Sequence, residues 1–564
     1  MAQEDGTSGA NRFVEALESY DVPYVFGNPG TTELPLIEAV SASNSCEYVM
    51  TLQEDIAVGM AAGFAKTRTY HSHTDESVNP LGVVNLHAAP GLAHGLGNLH
   101  GASYAGAPIL VTAGIQSRGF QHEEPILSGD MVEMTRQFTK WSAMVNDVDA
   151  LPAMTRRAVR TALTPPTGPV FLGFPLDVLN EETDAPIEPL GTIPEAGRGN
   201  RAQIQDAASL LADATEPVMI TGDGIARSGR EAVDAAVELA EASGTRVHGE
   251  ILAAEVSFPG THELWHSFIP PSESTARNHM DTDTLLLVGC STNTTITAYE
   301  SPLISDDTTV IHVSADPSEV GKTTRADAAV VGDPGDVLTE MAQLVRDEVG
   351  DEERIRRKER VQEYIERTNG ATESTTGDED FATRATFVDN LREAAPDANL
   401  VDESITTKYV LIERWPLEPE QFLSTKGGGL GYGLPSAVGA AFAEDLRSEP
   451  EDVVGVIGDG SFLYYPNSLY TAARYGVDLT IVIPDNRSYA VLKQNTVDVV
   501  GGDSADHDFK GMGIEMEPAV DIGQMAESQG VSQWFVEDPD HITPSVREAV
   551  ETPGPSLVDV LIQD

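Results

Sequence analysis

Short, continuously apolar runs rich in valine, isoleucine and leucine recur along this chain, each closing on glycine or a small polar residue and followed by an amphipathic or turn-forming stretch. A run that is apolar on both faces suits a strand covered by helices on both sides, as in a parallel sheet. Tyr24 to Phe26, Gly82 to Leu86, Ile109 to Ala113 and Val170 to Phe174 form a first set of such strands. Val218 to Thr221, Thr284 to Val288 and Thr309 to Val313 form a second; Leu400 to Asp402, Val453 to Ile457, Leu479 to Pro484 and Ser556 to Ile562 form a third. The rhythm returns three times without a short sequence repeat, and 564 residues exceed what one hydrophobic core supports. The expected fold class is therefore α/β, with three parallel-sheet domains at residues 1–185, 195–345 and 375–564. Pro186 to Asn200, rich in proline and glycine, reads as the first linker. The charged stretch Arg346 to Thr376 reads as a helix with an exposed linker.

Composition narrows the partners. The 90 acidic and 35 basic residues give a net charge of −55, spread along the chain, which argues against nucleic acid. Such even acidity, with arginine favoured over lysine, resembles cytoplasmic proteins of extreme halophiles, whose self-repulsion is screened by concentrated salt. No apolar run approaches the roughly 20 residues that span a bilayer, and Met1 to Asn11 lacks the basic start and apolar core of a secretory signal. A cytoplasmic location is expected. The two cysteines, Cys46 and Cys290, fall in different predicted domains, which excludes a disulfide framework and predicts two buried apolar side chains.

Two strand ends of the third set carry the chemistry. Val453 to Ile457 runs into Gly458-Asp459-Gly460-Ser461, and Leu479 to Pro484 runs into Asp485-Asn486. Adjacent strands of a parallel sheet end at one edge, where such sheets bind ligands. Gly458 and Gly460 let the backbone approach a diphosphate, and the helix start at Ser461 offers unpaired amides. Asp459, Asn486 and the backbone carbonyl of Ser488 would supply hard oxygen donors to Mg2+. A Gly-Asp-Gly turn alone is weak, and Gly222-Asp223-Gly224 is a control: the residue 27 beyond Asp223 is Glu250, whereas the residue 27 beyond Asp459 is Asn486. The first copy therefore reads as a structural turn.

The pattern Gly-Asp-Gly-Ser followed after 27 residues by Asn resembles the motif of the thiamine diphosphate-dependent decarboxylase and acetolactate synthase superfamily. Gly427-Gly428-Gly429-Leu430-Gly431-Tyr432-Gly433-Leu434-Pro435 resembles the segment that precedes it in that family. The resemblance implies a pyrimidine-binding domain, a central Rossmann-like domain and a diphosphate-binding domain, with thiamine diphosphate and Mg2+ as cofactors. It makes Leu430 the aliphatic wedge between the two cofactor rings and adds Thr406 to the cofactor-binding residues. Glu54, in Thr51-Leu52-Gln53-Glu54 at the start of the small-residue helix Ile56 to Lys66, becomes the carboxylate that activates the aminopyrimidine; on position alone it reads equally as a first-turn acid favoured by the helix dipole.

Gly27-Asn28-Pro29-Gly30-Thr31-Thr32-Glu33-Leu34-Pro35 and Asn85-Leu86-His87 resemble benzoylformate decarboxylases. By that resemblance Thr31 binds the substrate carboxylate and His87 relays protons, work that suits an imidazole. Ile296 stands where those enzymes carry a second histidine, which leaves His94 or His122 as replacements. Phe120-Gln121-His122-Glu123 instead resembles an acetolactate synthase segment. The expected activity is decarboxylation of an aromatic or branched 2-oxo acid, with an acetolactate synthase-like carboligase as the alternative. A non-catalytic cofactor-fold protein would be free to lose Glu54, Asp459 and Asn486, yet all are present; a nicotinamide enzyme would want a Gly-x-Gly-x-x-Gly turn after a strand, which no segment supplies convincingly. The resembling family is a dimer or tetramer whose subunits share two sites, so a homodimer or homotetramer with sites at the subunit interface is expected.

Overall fold

A computed structural model describes residues 6–291, 298–369 and 381–563. It contains three predominantly parallel sheets flanked by helices, as the apolar runs predict. In the first sheet the strand order is Glu47–Met50, Tyr24–Gly27, Gly82–Leu86, Ile109–Ile115, Val170–Pro175, Trp141–Met144, every neighbouring pair parallel. The second runs Trp265–Phe268, Arg246–Gly249, Val218–Thr221, Thr284–Val288, Thr309–Ser314, Ala328–Val331. In the third, Asn399–Glu403, Val453–Ile457, Leu479–Asp485, Pro555–Leu561 and Ser532–Val536 follow one another, again parallel. The internal strands are buried on both faces, which is why they lack polar alternation.

The described chain divides into two compact units. One comprises residues 1–194, 393–406 and 425–564 and so joins the first and third sheets; the other comprises residues 195–392 and 407–424. In the first unit the two sheets are joined through a helix pair, Glu54–Ser72 and Gly433–Glu444. Every residue of the second helix is buried, in keeping with a sequence apolar on all sides. The contact is backbone to backbone. A Cβ on Gly439 would lie 1.9 Å from the Met60 carbonyl oxygen, and one on Gly63 would lie 2.1 Å from that of Ser436. Ser436 Oγ donates to the Gly59 carbonyl at 3.2 Å across the same seam.

In the second unit the charged stretch is helical, as expected for its first part. Arg346 belongs to helix Pro334–Glu348, and Asp351–Asn369 is one continuous helix packed on the central sheet. Its Arg357 is buried and donates to the carbonyls of Ser243, Ala212 and Ala214, capping helix ends that would otherwise leave acceptors unpaired. Residues 370–376 of the predicted linker lie outside the described residues. Residues 184–200 form no regular element, and both cysteines are buried and free. Among the described residues no helix is long and apolar enough to cross a membrane.

Candidate active site

Parallel neighbours place the carboxyl ends of Val453–Ile457 and Leu479–Asp485 side by side, so the segments that follow them meet. Asp459 is the first residue of helix Asp459–Phe462, behind Gly458, with Gly460 and Ser461 buried beside it. The backbone N–H of Ser488 donates to Asp459 Oδ2 at 3.2 Å and lies 3.1 Å from Asn486 Oδ1. Two of the three expected oxygen donors, the Asp459 and Asn486 side chains, thus meet at the Ser488 amide. Arg487, inside that turn, adopts φ 54, a left-handed conformation unfavourable for a long side chain and of the kind found at ligand sites.

Burial, reinforced by Asp485, pushes the Asp459 carboxyl up to about 8. Asp559, on the next strand, is pushed up to about 7 by burial and by Asp485, and its Oδ1 has no hydrogen-bond partner. Carboxyls crowded together in a buried place are stabilised by a cation, and the oxygen-only donor set suits a hard divalent ion. The residues therefore fit a metal-bound diphosphate. The control copy behaves differently. Asp223 accepts from the amides of Ala254 and Glu255 and pairs with Arg227, while Glu250 accepts from the Asp223 and Ser291 amides. That turn is filled by its own buried ion pairs.

The glycine-rich segment is held by Glu403, at the carboxyl end of the neighbouring strand. Its carboxyl accepts from the Gly431 amide at 2.8 Å and the Gly433 amide at 2.6 Å. Burial raises it to about 8 against the pull of those amides. Gly431, at φ 94, presses against Tyr465, whose ring would lie 2.6 Å from a Cβ there. Leu430 is half-buried on this loop, between the exposed Gly429 and the buried Gly431. Thr406 opens helix Thr406–Arg414 directly after Ile405, a β-branched residue at φ 49.

The remaining candidates cluster at the carboxyl edge of the first sheet. Glu54 is the first residue of its helix, two residues earlier than the sequence places the start, with Gln53 as the extended residue before it. Its Oε2 lies 3.2 Å from His94 Nδ1, and its Oε1 would lie 2.7 Å from a Cβ on Gly91. His94 thus touches the Glu54 carboxylate rather than standing apart. His122 is exposed and faces Glu123 at 4.0 Å; Ile296 lies outside the described residues. Thr31 is exposed at the start of a short 3₁₀ turn, Thr31–Glu33. His87 follows strand Gly82–Leu86, with 24% of its side chain exposed. Its Nδ1 lies 2.7 Å from Oε2 of Glu33, which is fully buried.

Sequence reasoning gave no role to Glu33, Glu403 and Asp559, and named Asp485 only as part of its strand-end motif. Glu403 ends an apolar strand and Asp559 lies within one, and an acid there was a usable signal; Glu33 lay inside a segment already singled out for Thr31.

The chain matches the thiamine pyrophosphate enzyme N-terminal TPP binding domain over residues 7–139, the central domain over 204–341 and the C-terminal TPP binding domain over 407–560. It is 28% identical over 557 residues to a benzoylformate decarboxylase of Pseudomonas aeruginosa, covering 97% of this chain and 98% of that protein. It is 25% identical over 584 residues to the acetolactate synthase large subunit of Corynebacterium glutamicum, covering 100% of this chain and 88% of that one. A solved structure, the thiamine diphosphate-dependent 4-hydroxybenzoylformate decarboxylase of Rhodococcus jostii, superposes with a TM-score of 0.83 at 26% identity, covering 99% of both chains. With all three domains matched in order along a chain that carries three parallel sheets and a diphosphate-type strand-end site, the protein belongs to the thiamine pyrophosphate enzyme family.

Proposed function

We propose that this enzyme is a thiamine diphosphate and Mg2+ dependent decarboxylase of an aromatic or branched 2-oxo acid, releasing CO2 and an aldehyde. The observation that carries the reading is His87, seated at the carboxyl edge of the first sheet and held at Nδ1 by a buried carboxylate, with its ring partly open to solvent. Whole-length similarity to benzoylformate decarboxylases supports the substrate class.

Bound thiamine diphosphate supplies a nucleophilic carbon and an electron sink for the bond to CO2. The chain supplies the rest. Gly458, Gly460 and Ser461 would line the diphosphate; Asp459, Asn486 and the Ser488 carbonyl would hold the metal. Leu430 would keep the rings apart, and Thr406 would border the pyrophosphate side. Glu54 would hydrogen-bond the aminopyrimidine. Thr31 would fix the substrate carboxylate, and His87 would deliver the proton that replaces CO2 at the former carbonyl carbon.

A second reading, a carboligase similar to acetolactate synthase, is favoured by the match to that family and by Phe120 to Glu123. By the family resemblance we further propose a homodimer or homotetramer with sites at subunit interfaces. The spread charge of −55 supports a halophilic, cytoplasmic setting. Product analysis with benzoylformate and with pyruvate tests the function. Aldehyde and CO2 in equal amounts support decarboxylation; 2-acetolactate from pyruvate, without free aldehyde, overturns it.

A further inference from the structure

We infer that Glu33 is a positioning residue that fixes the tautomer of His87, so that Nδ1 carries the hydrogen and Nε2 is the nitrogen presented to substrate; the kinetic part of this inference rests on the decarboxylase reading, the tautomer does not. The two oxygens of Glu33 have separate duties. Oε1 accepts from the Gly114 amide at 2.9 Å, from Thr32 Oγ1 at 2.7 Å and from the Ala88 amide at 3.3 Å. Oε2 meets His87 Nδ1 at 2.7 Å. Backbone amides only donate, so Oε1 is an acceptor; with Glu33 as a carboxylate Oε2 also only accepts, and the hydrogen of the second contact then sits on Nδ1, which has the Thr32 hydroxyl oxygen 3.4 Å away as well. Nε2 is then an acceptor when the ring is neutral and a donor when it is charged. Those are the two states a proton relay passes between.

The surrounding backbone is shaped to admit this pair. A Cβ on Gly30 would lie 2.1 Å from His87 Cγ and 2.7 Å from Glu33 Oε2, and one on Gly114 would lie 2.5 Å from Glu33 Oε1. Ala88, immediately after His87, adopts φ 49, a left-handed strain for a residue with a Cβ. Its amide is one of the groups Glu33 holds, so the same carboxylate secures both the ring and the strained turn behind it. Glu33 touches no open space, which makes it a supporting group and not a reacting one.

The test is the tautomer of His87 read by nitrogen NMR on the protein labelled with 15N-histidine, with His87→Gln used to assign its signals. The parent is expected to show Nδ1–H. In Glu33→Gln the amide oxygen can keep the Ala88 and Gly114 contacts while the NH2 faces His87, so Nδ1 becomes an acceptor and the ring switches to Nε2–H. Aldehyde release should then fall through kcat, with KM moving by less than about threefold. The loss should not exceed the roughly 100- to 10,000-fold expected for removing His87 itself. In a His87→Ala background, Glu33→Gln should cost nothing further, whereas a purely structural role would give additive losses. Nε2–H in the parent, or additive losses, would overturn the inference; the parent measurement stands even if the variant does not fold. A parent that carries Nδ1–H but releases no aldehyde from any 2-oxo acid would reject the decarboxylase reading and leave the pairing intact.

Discussion

Lowering the pH from 7 to 4.5 should loosen the central sheet before the other two. Three imidazoles are packed together there: His248 on strand Arg246–Gly249, His266 on Trp265–Phe268 and His279 on helix Glu273–Met280. Their ring centroids lie 4.7 to 5.3 Å apart, and Arg246 stacks 3.6 Å over the neighbouring Tyr364 ring. Burial, with Arg246 beside it, lowers His266 to about 4; burial, His266 and Arg246 lower His279 to about 4; burial first, then Arg246, His279 and His266, hold His248 well below the usual range. Folded values below unfolded ones mean that the unfolded chain binds the extra protons. Stability from these rings is therefore present above about pH 6.5 and lost as pH falls toward 4. At about 1.36 kcal/mol per unit, His266 and His279 each remove up to about 3 kcal/mol, and since they are coupled and partly solvated the pair removes a few kcal/mol by pH 4.5. That is a large share of a domain's stability. Native-state hydrogen exchange at constant high salt reads it directly: protection of Val218–Thr221 and Thr284–Val288, corrected for the intrinsic rate, should fall on the order of 100-fold more than that of Ile109–Ile115. His279→Gln should shift the loss to lower pH. Equal pH dependence in both sheets, or no effect of His279→Gln, would refute the reasoning.

Three further outcomes are expected. Glu54→Gln should keep the fold and bind cofactor within a modest factor while losing most turnover, and turnover within about threefold of the parent would remove Glu54 from the catalytic role. Asp459→Ala should weaken Mg2+-dependent cofactor binding, measured by calorimetry, by more than the roughly 10- to 100-fold that loss of a supporting contact costs; unchanged affinity would count against the metal site. Folding and activity should need molar potassium chloride, since at about 0.1 M salt the screening length is about 10 Å and a charge of −55 repels itself; full stability there would reject the halophilic reading.

Most internal strands were legible because burial on both faces removes polar alternation, as in Val453–Ile457; the internal strand Arg246–Gly249 was not, since Arg246 and His248 interrupt its apolar run. Edge strands were not. Glu47–Met50, Trp141–Met144 and Ser532–Val536 are short and partly exposed, and in sequence they look like loop or helix. The charged stretch Arg346 to Thr376 was read as a helix with an exposed linker, and Asp351–Asn369 is helical; what its charge did not reveal is that Arg357 is buried and spends its donors on backbone carbonyls. At the site, the strand-end spacing of Asp459 and Asn486 corresponds to a real meeting around the Ser488 amide, since parallel pairing puts neighbouring strand ends together. Glu33 was not legible as the partner of His87: 54 residues separate them, and only the fold shows which carboxylate faces the ring.

The rate of aldehyde release by His87→Ala tests the central claim most directly. If this chain decarboxylates 2-oxo acids with His87 delivering the proton, the variant should release aldehyde roughly 100- to 10,000-fold more slowly from its best substrate and shift toward ligation product. Aldehyde release at the parent's rate would show that His87 is structural and would contradict the account.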